Sequence, residues 1–90
     1  MHGIQLNDIG KAIKIYYSRI EMSNSDIKTL FGCGDGTAIK LKRIAKEKVL
    51  EKNIPIFDSR MVNTQAAFEA WGLDIQDLEK RYAKLKKILG

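Results

Sequence analysis

Ser23-Asn24-Ser25-Asp26-Ile27-Lys28-Thr29-Leu30-Phe31-Gly32-Cys33-Gly34-Asp35-Gly36-Thr37-Ala38-Ile39-Lys40-Leu41-Lys42-Arg43-Ile44-Ala45-Lys46-Glu47-Lys48 is the stretch on which the fold turns. It reads as a short capped helix, a glycine-rich turn and a longer helix that carries most of the chain's excess positive charge. Ser23 and Asp26 have the spacing of a capping box, so the first helix of the pair is expected from Asn24, with Asp26 at its positive end. Ile27, Leu30 and Phe31 recur at helical spacing and share a face. Gly32, Gly34 and Gly36 then give too much backbone freedom for a helix interior and suit a sharp turn with positive φ.

The second helix is expected to start between Asp35 and Thr37, either of which can cap it, and to run to about Lys52. At 100° per residue, Ala38, Leu41, Ala45 and Val49 fall on one stripe, with Gly36, Lys40, Arg43 and Glu47 on the opposite one. The small Ala38 and Ala45 let the two helices approach closely and turn the polar stripe outward.

These residues resemble the helix-turn-helix family of DNA-binding proteins. With Asn24 as the first position of the pattern, Ile27 and Phe31 match its buried sites in the first helix and Gly32 its turn glycine. Cys33 matches the small apolar site after the glycine, and Ala38 and Leu41 the buried sites of the recognition helix. The pattern's usual small residue in the first helix is here Lys28, whose length is expected to loosen the packing of the pair. Glycines at 34 and 36 also depart from it, since side chains at the start of the recognition helix often read bases. Outside this quarter of the chain, Val62-Asn63-Thr64 and Ala70-Trp71-Gly72-Leu73-Asp74 resemble small regulators carried by phages and conjugative elements.

The resemblance implies double-stranded DNA as the partner and assigns roles accordingly. Asn24 and Ser25, at the free N–H groups of the first helix, would meet a phosphate. Thr37, Lys40 and Arg43 would face base edges, with Ile39 against a thymine methyl and Arg43 placed for a bidentate guanine contact. Lys42 and Lys46 would flank the backbone.

Charge supports the same element independently. The formal net charge is +5 and the pI about 9.4, yet residues 1–36 hold four basic and four acidic side chains, whereas residues 37–52 hold six basic and two acidic. A basic helix is often only a solvated face. Here the charge falls on the helix that the turn pattern selects. A small helical adaptor or inhibitor, its basic helix meeting an acidic protein, is the alternative reading.

Ninety residues, 44% of them hydrophobic, make one domain with a modest core, residues 1–90. No apolar run approaches the ~20 residues of a membrane span, and the start lacks a secretory pattern, so a cytoplasmic location is expected. The lone Cys33 cannot close an internal disulfide and reads as a packed residue. One histidine, His2, and scattered carboxylates offer no catalytic constellation. Gly32 to Thr37 lacks the Lys-Ser/Thr ending of a phosphate-binding loop. The reading is therefore not an enzyme, with no cofactor, no metal site and no small-molecule substrate.

The remaining segments complete a mainly all-α bundle of about five helices. Residues 1–6 read as frayed. A helix from a cap at Asn7 to about Arg19 carries Ile9, Ala12, Ile13, Tyr16 and Ile20 on one face. Ile20 and Met22 are expected to plug the space between it and the helix pair. Pro55 bars helix through Asn53-Ile54-Pro55-Ile56-Phe57. That segment either forms a minimal hairpin with Arg60-Met61-Val62, a wing with Arg60 near its tip, or an extended strap whose Ile54, Ile56 and Phe57 close the core. Asn63 or Thr64 caps a fourth helix that buries Phe68 and Trp71 and stops at Gly72. Asp74 caps the fifth, along which Ile75, Leu78, Tyr82, Leu85 and Leu89 recur as a coiled-coil seam widened by Ile88. Two heptads are too short to pair alone but long enough to support a homodimer.

Overall fold

A computed structural model describes residues 8–89 as five helices and one two-stranded antiparallel bridge. The expected frayed start at residues 1–6, His2 and the expected cap at Asn7 lie outside these residues. Helix α1, Ile9–Ser18, is capped by Asp8, whose carboxylate accepts from the Lys11 N–H at 3.2 Å. Its Ala12 is fully buried, and Ile9, Ile13, Ile15 and Tyr16 pack partly on the core.

The chain then leaves α1 through a bend, forms β1 at Glu21–Met22, and enters α2, Asn24–Phe31. The capping box forms as its spacing predicts. Ser23 Oγ accepts from the Asp26 N–H at 3.3 Å, and the Asp26 carboxylate accepts from the Ser23 N–H at 3.0 Å. Gly32 ends α2 at φ 61°, a left-handed conformation that a side chain would strain.

Helix α3, Asp35–Glu51, follows after Gly32-Cys33-Gly34. Its cap is Gly34, with no side-chain hydrogen bond, so neither Asp35 nor Thr37 caps it. The Asp35 carboxylate instead lies 2.8 Å from Lys28 Nζ, clipping α3 to α2 across the turn. Lys28 therefore braces the pair it was expected to loosen, because its long side chain runs out to the turn. Ala38, Leu41, Ala45 and Val49 are all buried, as the helical stripe requires. The end of α3 is a Schellman motif. Asn53 takes φ 55°, its N–H donates to Leu50 O, and the Ile54 N–H reaches Val49 O at 3.1 Å.

The hairpin does not form. Residues 53–61 cross α3 as a strap, and β2, Val62–Asn63, pairs back with β1, Met22 opposite Val62 and Glu21 opposite Asn63. With no glycine for a tight turn and no Pro55 donor, the strap lacks the groups for its own ladder. Ile54 packs on the core, but Ile56 and Phe57 are exposed, correcting the expectation that all three close it. Ile20 is likewise exposed while Met22 is fully buried. Ile20 sits in the bend before the bridge, outside the register that turns Met22 inward.

Helix α4, Thr64–Ala70, is capped by Asn63 Oδ1, which accepts from the Ala66 N–H at 2.9 Å. It ends in a second Schellman motif, with Gly72 at φ 73° and the Leu73 N–H on Phe68 O at 2.8 Å. Ala66, Ala67 and Phe68 form the centre of the core against α3. Tyr16 and Trp71 flank Phe68 at centroid distances of 5.1 Å and 6.2 Å. Trp71 also meets the edge of Phe31 and donates from Nε1 to Leu41 O at 2.9 Å, so its ring has a structural role and a satisfied polar end. Helix α5, Ile75–Leu89, begins where Asp74 Oδ1 accepts from the Gln76 N–H, and packs back on α1.

Candidate nucleic-acid interface

The outer face of α3 carries two of the helix's cationic side chains, Lys40 and Arg43. Gly36, Thr37, Lys40, Arg43 and Glu47 are exposed, and Ile39 is half-exposed among them. None of the ion pairs among the described residues involves Lys40 or Arg43. A groove of about 370 Å³ runs along this face between Ile39, Lys42, Arg43, Lys46, Glu47 and Leu50. Asn24 and Ser25 are exposed in the first turn of α2, beside N–H groups that have no partner within the helix.

Lys42 and Lys46 differ from the other expected contacts. One turn apart on α3, they reach sideways to the strap, where Lys46 Nζ donates to Ser59 O at 2.9 Å and Lys42 Nζ donates to Arg60 O. Partial burial pushes the Lys42 ammonium pKa down, and the nearby Lys46 charge adds to this, against the opposing pull of Asp58.

The strap is held from its other side as well. The Glu21 carboxylate accepts from the N–H groups of Phe57 at 3.0 Å and Asp58 at 3.2 Å. Asp58 accepts from the backbone and guanidinium of Arg60, and hydrogen bonding from that side chain holds its carboxyl below the ordinary range. Glu21 was missed by sequence reasoning, and Asp58 was expected only as part of a turn before Arg60. The aspartate two residues before Arg60 is a local turn signal, whereas the Glu21 contact spans 36 residues and has no signature in the sequence.

At the turn between α2 and α3, hydrogen bonding from Lys28 lowers the Asp35 pKa, and the same bond raises that of Lys28. Cys33 is half-buried and packs on the core.

The expected dimer seam on α5 divides in two. Leu78 is buried, Ile75 packs on the core and Tyr82 is half-buried beside Gly10, so this half is occupied by α1 of the same chain. Leu85 and Leu89, with Ile88, are exposed on the last turns. A three-four periodicity reports a buried stripe without saying which surface buries it.

Among the described residues no group of three His, Cys, Asp or Glu side chains could hold a metal ion, and no helix is long and apolar enough to cross a membrane. No protein-family model, curated protein or solved structure matches the chain.

Proposed function

We propose that this protein binds double-stranded DNA sequence-specifically, laying the exposed face of α3 in the major groove, and acts as a small cytoplasmic transcription regulator of a phage or mobile element. The observation that carries the proposal is the exposed stripe of Lys40 and Arg43 on the helix that follows a capped helix and a left-handed glycine turn. Arg43, exposed on α3 and outside the ion pairs among the described residues, is the side chain we assign to a guanine edge. Thr37 and Ile39 extend the surface toward the start of α3, and Asn24 and Ser25 add a phosphate contact from α2. Lys42 and Lys46 join the strap to this surface and place their charge along its border.

The test is fluorescence anisotropy with a duplex selected by the protein from a random pool, competed by random duplex at several salt concentrations. A preference of about 10³ or more for the selected duplex supports the reading. Equal competition with steep salt dependence refutes it and leaves only a nonspecific charge effect. The adaptor alternative draws on the exposed apolar residues beside α3 and predicts no preference in the same assay.

A further inference from the structure

DNA recognition by the α3 stripe leaves an apolar surface unexplained. Leu50 is 68% exposed, Ile56 55% and Phe57 76%. They surround or line a cleft of about 130 Å³ formed with Val49, Met61 and Val62. Phe57 does not line the cleft of its own chain; it is the exposed residue next to cleft-lining Ile56, on a strap fixed by Glu21, Lys42 and Lys46. In volume the cleft is close to the apolar cavity of about 150 Å³ that accepts benzene, and its open mouth leaves part of an entering ring outside. A fixed aromatic knob next to an apolar hole on one surface is self-complementary, which is what an isologous two-fold contact requires.

The geometry points to a second copy of this chain as the occupant, with Phe57 of each copy entering the other's cleft beside Leu50 and Ile56. Charge favours this face over the free end of α5. Lys46 lines the cleft, and Asp58 and Arg60 flank its Ser59 on the strap, mixing both signs, whereas Leu85, Ile88 and Leu89 are interleaved with Lys84, Lys86 and Lys87, so parallel copies would face like charge. Spacing favours it too, an argument that rests on the DNA reading. Lys40 lies ten residues before Leu50, which is ~15 Å along a helix. Two α3 helices meeting at their C-terminal ends therefore hold their reading ends ~30 Å apart, plus up to ~10 Å for the contact itself. Half-sites one turn of DNA apart are ~34–36 Å from centre to centre.

The test is the mass of the purified full chain by sedimentation and light scattering, without DNA, from low to high micromolar concentration. The expected result is twice the 10.2 kDa chain mass, falling to the single-chain mass in Phe57→Ser and in Leu50→Gln while Ile88→Gln stays dimeric. Both replaced side chains are mostly exposed, and circular dichroism verifies that each variant is folded; should one unfold, the other decides. A monomeric parent chain overturns the proposal. So does a dimer that survives Phe57→Ser and Leu50→Gln, or one lost only in Ile88→Gln, which would place the contact on α5. Because DNA is absent, these failures leave the functional reading standing, and a dimer that shows no duplex preference removes that reading alone.

Discussion

Replacing Arg43 and Lys46 one at a time separates base reading from backbone attraction, because the structure uses the two side chains differently. Arg43 stands on the exposed stripe of α3, outside the ion pairs among the described residues, so Arg43→Ala should leave the fold intact. Its melting temperature should match the parent's. Loss of a bidentate guanine contact costs ~1–3 kcal/mol, or ~5- to 150-fold in affinity for the selected duplex, confined to one base position. Lys46→Ala removes a cation that also donates to Ser59 O. Losing that exposed hydrogen bond should cost about 0.5 kcal/mol, a fall of about 2–4 °C for a domain of this size. Selected and random duplexes should weaken alike, with the salt slope smaller by about one. Anisotropy titrations at three salt concentrations and thermal melts read all four quantities. Equal losses on both duplexes for both variants, or a destabilised Arg43→Ala, would refute the assignment of α3 as the reading helix.

Other consequences follow from the packing and the caps. Phe68→Ala should destabilise by ~3–5 kcal/mol in urea unfolding, since Phe68 is 1% exposed between Tyr16 and Trp71; a loss below one kcal/mol would mean that α4 is not the centre of the core. Ser23→Ala should cost about 1 kcal/mol by removing the α2 cap, and an unchanged midpoint would contradict the capping box. Hydrogen bonds from Lys28, Arg60 and Lys52 hold the Asp35, Asp58 and Glu69 carboxyls below their ordinary range. A depressed folded pKa contributes stability above the unfolded value and loses it as pH falls through the folded one. Melting temperature should therefore drop below about pH 4, less steeply in Lys52→Met, and an identical pH profile in that variant would argue against the Glu69 pair.

Local chemistry made the helices and their ends legible before any contact was known. The Ser23 and Asp26 spacing, the turn glycine Gly32, Asn63 and Asp74 as caps and Gly72 as a stop each act within a few residues, and each took the expected place. So did the buried stripe of α3, because a 3.6-residue period says which side chains share a face. The exposed side chains of the candidate site, Thr37, Ile39, Lys40 and Arg43, were legible for the same reason. Caps chosen from a run of candidates were less secure. Gly34, with no side chain, took the place expected for Asp35 or Thr37, and the Asp35 carboxylate went to Lys28 across the turn.

What only the tertiary structure decided is the partner of each half-defined surface. Met22 and Val62 form a bridge across 39 intervening residues, displacing the hairpin that local order suggested. Lys42 and Lys46 turn from solvent to the carbonyls of the strap, Glu21 takes that strap's N–H groups, and α1 occupies half of the α5 seam. The sequence by itself determined helix phase, helix ends and the location of the charge, since these are set by neighbours along the chain. Which groups meet across it is settled by competition among distant partners for the same hydrogen bonds and apolar area, a quantity that exists only once the chain has packed.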